Sequence, residues 1–194
     1  SLHAGELSPT MVPPDGLRFH IRASIEQGHA QRIGHGVDVM HEDRPQELLH
    51  EMASRRVLVE ICPTSNRSIL GIGGADHPLP AYLAAHVPLA IATDDEGVSR
   101  SDLTREYAIA ASSWQLSYAT LKTMARNSVE YAFVAGASVW SEPDAFTPVR
   151  DCAHDVPGAA QPAPACAAFL AGSEKARLQW RLESELRDFE AGIA

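Results

Sequence analysis

The sequence is short of positive charge. Lys and Arg number 16 against 25 Asp and Glu, a formal net charge of −9. So acidic a chain has no bulk attraction for nucleic acid or anionic lipid. Long apolar runs are missing too, and nothing approaches the roughly 18 residues of a membrane span. The opening Ser1-Leu2-His3 lacks a Met and lacks the basic and apolar regions of a signal peptide, so the expectation is a chain that begins inside a longer gene product. There is no P-loop, no dinucleotide-binding glycine fingerprint after a strand and no C-x-x-C. The cytidine-deaminase pattern, H-x-E with P-C-x-x-C, is absent as well. No repeat or sustained heptad occurs, and the 13 Gly and 13 Pro follow no short period, which excludes collagen-like character.

Cysteine is scarce, with three in all. Cys62 ends an apolar run and reads as a buried thiol. Cys152 and Cys166 flank a Pro/Ala-rich loop from Asp155 to Ala165. They either pair or stay as thiols, and spacing does not decide. Pairing closes a loop of about 15 residues, contributes on the order of 3 kcal/mol in the chain-entropy picture, and implies an oxidising compartment.

What the sequence has is a folded composition, 45% hydrophobic and 21% charged over 194 residues. Up to about Gln115, short apolar runs alternate with helical stretches. Strands are expected at Val57–Ile61 and Pro88–Ala92, more weakly at Gln31–Ile33, with Leu2-His3 as the end of a fourth. Leu17, Ile21 and Ile25 fall at i, i+4, i+8 after the Pro13-Pro14-Asp15 start signal. Pro45 opens a helix over 46–55 with Leu48, Leu49 and Met52 inside. Further helices are expected at 80–86, 103–115 and 118–134. After an irregular span from Ser141 to Pro164 comes a helix whose apolar stripe is Leu178, Leu182, Leu186, Phe189 and Ile193. Strands this apolar, separated by helices, point to a parallel sheet covered on both faces. Half of a (β/α)₈ barrel and an open doubly wound sheet both fit this pattern.

Polar residues collect at the strand ends. His3 and Glu6 form an H-x-x-E that suits one cavity or a plain surface turn. His35 sits between Gly34 and Gly36, either poised for proton exchange or hydrogen-bonded to backbone as a loop histidine. Asp94, Asp95 and Glu96 crowd three carboxylates after a fully apolar strand, and a cation would relieve that repulsion. The competing reading is a helix cap, but Asp102 is better placed to cap the helix from Leu103. In Cys62-Pro63-Thr64-Ser65-Asn66, Ser65 or Asn66 stands to support a neighbouring site residue or to make an ordinary turn. His77-Pro78 reads as a helix entry. His20, His29, His41, His50, His86 and His154 show no metal spacing.

In order, His3-Ala-Gly-Glu6, Arg32-Ile-Gly-His-Gly36, Cys62-Pro-Thr-Ser-Asn66 and Thr93-Asp-Asp95 resemble the adenosine deaminase family of zinc-dependent (β/α)₈ hydrolases over about residues 1–135. The wording from Asp94 to Tyr107 is similar to a bacterial adenosine deaminase-like branch. The tail from Cys152 to Phe189 also resembles that branch, some of whose members are exported, so the compartment stays open between cytoplasm and export.

The resemblance implies a TIM barrel of the metal-dependent hydrolase type, with strands 5–8 in residues 1–135. Residues 136–194 would supply an irregular segment and a helix packing on the barrel. It makes His3 and Asp94 zinc ligands and Glu6 the proton donor to the purine ring. His35 would orient the attacking hydroxide as its base or electrostatic partner, and Asp95 would hydrogen-bond the purine or assist the attacking water. The resemblance also implies one zinc per complete site and a purine nucleoside substrate, either adenosine or another purine such as adenine or a modified adenine nucleoside.

The family's first strand carries an H-x-H pair that supplies two more ligands, and no H-x-H occurs here. The expected partner is therefore the N-terminal half of the same barrel, in cis or in trans, and this chain alone should be inactive. The competing expectation is a non-catalytic half-barrel serving as a structural or dimerisation module, with homo-oligomers possible because its sheet edges are open. No nucleic-acid or membrane partner is expected.

Overall fold

The computed structural model describes residues 1–193 and divides into two compact units, Ser1–Ser128 and a second from Val129 onward. The first unit is a strand–helix alternation. Its elements are β1 (Leu2–Ala4), α1 (His20–Glu26), β2 (Arg32–His35), α2 (Pro45–Ser54), β3 (Leu58–Ile61), α3 (Pro63–Leu70), α4 (Leu79–Ala84), β4 (Leu89–Ile91), α5 (Glu96–Ser99), α6 (Leu103–Trp114) and α7 (Tyr118–Glu130), the last running across the division.

The four strands form one parallel sheet in the order β1-β2-β3-β4. His3 is in register with Gly34, Gly34 with Glu60, and Glu60 with Ala90. All three residues of β4 are buried, as are Leu58, Val59 and Ile61 of β3, because helices cover a parallel sheet. The core joins Ile21 and Ile25 of α1, Leu48, Leu49 and Met52 of α2, Leu79 and Tyr82 of α4, and the inward strand residues. Each buried aliphatic side chain of this kind contributes about 1.5–3 kcal/mol.

The helix starts have local causes. Pro45 and Pro63 stand at first-turn positions, where a missing N–H costs nothing. α1 has no side-chain cap of its own, and Glu42 supplies one from a distance: its Oε1 accepts the Ile21 N–H at 2.6 Å. Asp102 caps α6 as expected, accepting the Arg105 N–H at 2.7 Å.

The structure refines three expectations. The Cys62–Asn66 segment, open between support for the site and an ordinary turn, leads into α3, where Ser65 and Asn66 are buried polar residues between the apolar Pro63 and Leu70. In the second unit, β5 (Trp140–Glu142) pairs antiparallel with β6 (Thr147–Pro148) within the span expected to be irregular, and α8 (Pro164–Ala171) follows directly after that span. The last helix, α9 (Glu174–Ile193), carries the expected stripe residues but has a different inner face. Leu178, Phe189 and Ile193 are exposed, while Ala176, Gln179, Trp180 and Glu183 are buried. That stripe is also i, i+3, i+4, i+7, with Gln179 inside because its Oε1 accepts the Val139 N–H at 2.8 Å.

Cys152 and Cys166 are joined in a disulfide and share the second unit's core with Val139, Trp140 and Trp180. Cys62 is free and buried, as expected. Among the described residues, no helix is long and apolar enough to cross a membrane.

Candidate active site

His3 lies on β1, His35 ends β2, Ser65 and Asn66 sit in the first turns of α3, and Asp94 follows β4 by three residues. All lie at the carboxyl end of the sheet. In a flat sheet, three strand spacings of about 4.8 Å would part β1 from β4 by about 14 Å. Instead one ligand atom each of His3, His35 and Asp94 lies within 4.8 Å of the others. Side-chain reach and the three residues after β4 cover part of that span, and a sheet curling toward a barrel is consistent with the rest.

His35 is the centre of the cluster. It is 1% exposed, and its ring stacks on that of His3 with centroids 5.2 Å apart. His35 Nε2 lies 3.6 Å from Glu6 Oε2 and 4.0 Å from Asp94 Oδ1. The other ring nitrogen, Nδ1, lies 3.0 Å from the side-chain amide of Asn66. Ser65 Oγ donates to Asp94 Oδ2 at 2.8 Å, so the support expected from Ser65 or Asn66 is given by both. Asn66 in turn meets His77 at 2.9 Å, and the Leu79 N–H donates to His77 Nδ1 at 3.0 Å.

Two of these residues sit in the left-handed region, His35 at φ 72° and Asp94 at φ 56°. Non-glycine residues held there are costly and collect at functional sites. Gly36 has φ 59° and no room for a side chain, because a Cβ would stand 2.5 Å from Tyr82 Oη. That hydroxyl donates to Gly36 O at 2.6 Å, bracing the loop that carries His35.

The surroundings are electrostatically uneven. Burial pushes the Asp38 carboxyl up to about 7, helped by the nearby Glu42 charge, and neither Asp38 oxygen has a partner among the described residues. Burial, and then the Asp94 charge, raises the Cys62 thiol, which makes it inert rather than nucleophilic. Burial lowers His77 to about 4. Glu106 is fully buried yet satisfied, accepting the Thr64 N–H at 2.8 Å and the Ser101 hydroxyl.

The structure thus brings His3, Glu6, His35 and Asp94 together. Asp95 stands exposed at the start of α5, and among the described residues no contact joins its carboxylate to the others. Sequence reasoning missed His77, Tyr82 and Glu106 as supports of this region. A histidine imidazole and a carboxylate oxygen are the donor types zinc takes, so His3 and Asp94 fit such an ion.

A sequence model of adenosine deaminases matches residues 1–138. The adenosine deaminase of Shewanella denitrificans is 38% identical over 113 residues, 58% of this chain and 33% of that protein. The aminodeoxyfutalosine deaminase of Streptomyces coelicolor is 36% identical over 122 residues, 61% of this chain and 31% of that protein. The matched segments therefore span about a third of these curated relatives. Among solved structures, an amidohydrolase from Burkholderia ambifaria with bound Zn is similar with a TM-score of 0.57 at 18% identity, covering 96% of this chain and 42% of that one. The four-stranded sheet is part of such a barrel fold.

Proposed function

The chain belongs to the adenosine deaminase family, and from that premise we propose that it is the carboxy-terminal half of a zinc-dependent aminohydrolase. The enzyme removes the exocyclic amino group of adenosine or a close purine relative and releases ammonia. The observation that carries this reading is the convergence of His3, Glu6, His35 and Asp94 at the strand ends.

His3 and Asp94 would hold the metal. Zinc, when bound, lowers the pKa of a water to about 7 and so makes a nucleophile available at neutral pH. Glu6, protonated, donates to the ring nitrogen beside the reacting carbon and draws electron density from that carbon. The oxygen of a water adds there, one of its protons passes to the amino group, the carbon–nitrogen bond breaks to release ammonia, and the other proton returns to Glu6. His35 would act on the attacking oxygen, as base or as electrostatic partner. Asp95 would reach the purine or the attacking water from its exposed turn.

A catalytic zinc usually has three protein ligands and an open position. His3 and Asp94 are two, so the remainder would come from an N-terminal half, in cis or in trans. The sheet supports this, because β1 and β4 are both edges among the described residues. The Cys152–Cys166 disulfide favours an oxidising compartment for the protein.

The test is zinc content together with ammonia release from adenosine. In the completed enzyme, about one zinc and measurable turnover are expected, and Glu6→Ala and Asp94→Ala should each nearly abolish turnover. Asp94→Ala should also lose metal. Normal rates in both variants would defeat the assignment. A second substrate reading rests on the aminodeoxyfutalosine deaminase relative, which is nearly as similar as the adenosine deaminase one. A panel of adenosine, adenine and larger adenine nucleosides separates them.

A further inference from the structure

His35, Asn66 and His77 form a buried polar chain whose far end is fixed by a backbone donor. Leu79 N–H donates to His77 Nδ1, so that nitrogen carries a lone pair. A neutral imidazole holds one ring proton, which then sits on Nε2. His77 is 2% exposed, and its burial keeps it neutral at ordinary pH. Its Nε2–H therefore needs an acceptor, and the group 2.9 Å away is the Asn66 amide.

The Asn66 amide can stand in either of two orientations. With Nδ2 toward His77, two N–H groups would oppose each other at a residue that is 0% exposed. Amide oxygen and nitrogen exchange places by a half-turn, and the hydrogen-bond network is what assigns them. With Oδ1 toward His77 and Nδ2 toward His35, every group is paired. Leu79 N–H donates to His77 Nδ1, His77 Nε2–H to Asn66 Oδ1, and Asn66 Nδ2–H to His35 Nδ1.

We propose that His77 is a positioning residue: acting through Asn66, it holds His35 in the tautomer whose proton lies on Nε2, the nitrogen facing Glu6 and Asp94. The consequence for chemistry rests on the deaminase reading. A His35 held in this way presents an N–H to the attacking oxygen and steadies its developing negative charge. It offers that oxygen no lone pair, so it neither takes its proton nor serves as a metal ligand through Nε2. The accepting role passes to a carboxylate.

The decisive measurement is a long-range ¹H–¹⁵N correlation spectrum of the chain with histidine-selective ¹⁵N labelling at neutral pH. Both His35 and His77 should show a pyrrole-like Nε2 and a pyridine-like Nδ1. A protonated Nδ1 on His35, or averaging between its tautomers, overturns the proposal. His77→Gln keeps an N–H for Asn66 and should preserve the His35 signals, whereas His77→Phe should let them average. If His77→Phe fails to fold, the wild-type and His77→Gln spectra still decide.

In the completed zinc-loaded enzyme, His77→Phe should lower kcat about 10–100-fold, as outer supports of metal sites do, with KM little changed and with recovery in His77→Gln. A loss confined to KM counts against the proposal. Absence of ammonia release from any purine by the wild-type enzyme would remove the deaminase reading alone and leave the tautomer result standing.

Discussion

Ser65 donates its hydroxyl hydrogen to Asp94 Oδ2 across 2.8 Å, which leaves Oδ1 as the oxygen turned toward His35. A carboxylate held by one oxygen presents the other in a fixed direction, as outer supports of metal ligands do. Ser65→Ala in the completed enzyme is expected to weaken zinc binding about 10–100-fold, read by competition with a chelator. Unchanged affinity would mean that the backbone alone orients Asp94.

Asp38 makes stability fall as pH rises. The folded protein keeps its proton up to about pH 7, while the unfolded chain gives it up near the ordinary 3.8. Between those values the folded state binds more protons, so each step up in pH favours unfolding. His77 works in the opposite direction: its folded value of about 4 lies below the ordinary 6.5, so its contribution is lost as pH falls through that window. Asp38→Asn removes only the first effect. The variant's stability advantage in urea should grow from pH 4 to about 7 and then level off. A gap that stays flat across that range would show that Asp38 is ionised in the folded protein.

Gly36 and Tyr82 form a steric lock. Gly36→Ala adds a Cβ 2.5 Å from Tyr82 Oη at a φ of 59°, and should cost about 2–5 kcal/mol from strain and overpacking together. Tyr82→Phe alone should cost about 1 kcal/mol through the lost bond to Gly36 O. Combined, the two changes should cost less than their sum, because the clashing oxygen is gone. Denaturant unfolding of the four proteins measures the coupling, and strict additivity would contradict the contact.

The Cys152–Cys166 bridge closes a separation of 14 residues inside the second unit. Its loss should cost about 3 kcal/mol. Thermal unfolding with and without a reductant, or with Cys152→Ser, should show a lower transition for the second unit, with the unit that holds His3 and Asp94 unchanged. Indifference to reductant would leave the bridge without a stabilising role.

Much of the fold and of the site was legible in the sequence, and the failures have physical reasons. Three strands announced themselves through apolar runs ending at Gly34, Cys62 and Thr93, with Leu2-His3 as the end of a fourth, and α2 through Pro45 and its Leu48, Leu49 and Met52 face. α3 was hidden because two of its four buried residues, Ser65 and Asn66, are polar and hold Asp94 and His35, which leaves only Pro63 and Leu70 as an apolar signal. α9 misled in the reverse way, since Leu178 and Phe189 look like an inner face while Gln179 is buried for its hydrogen bonds. His77 carries no spacing signal at all, because its role depends on a contact with Asn66 that only the fold creates. The cysteine pairing was undecidable for the same reason: sequence distance does not fix which atoms meet.

The sheet order has a consequence for how the protein is made. Strands beginning at Leu2, Arg32, Leu58 and Leu89 stand side by side in the order in which they leave the ribosome. Each new strand docks on the one just before it, so closure entropy stays small and assembly can advance during synthesis. Within this chain His3 is therefore placed first and Asp94 last, with His35 between them. The cluster stays unassembled until the final strand has docked.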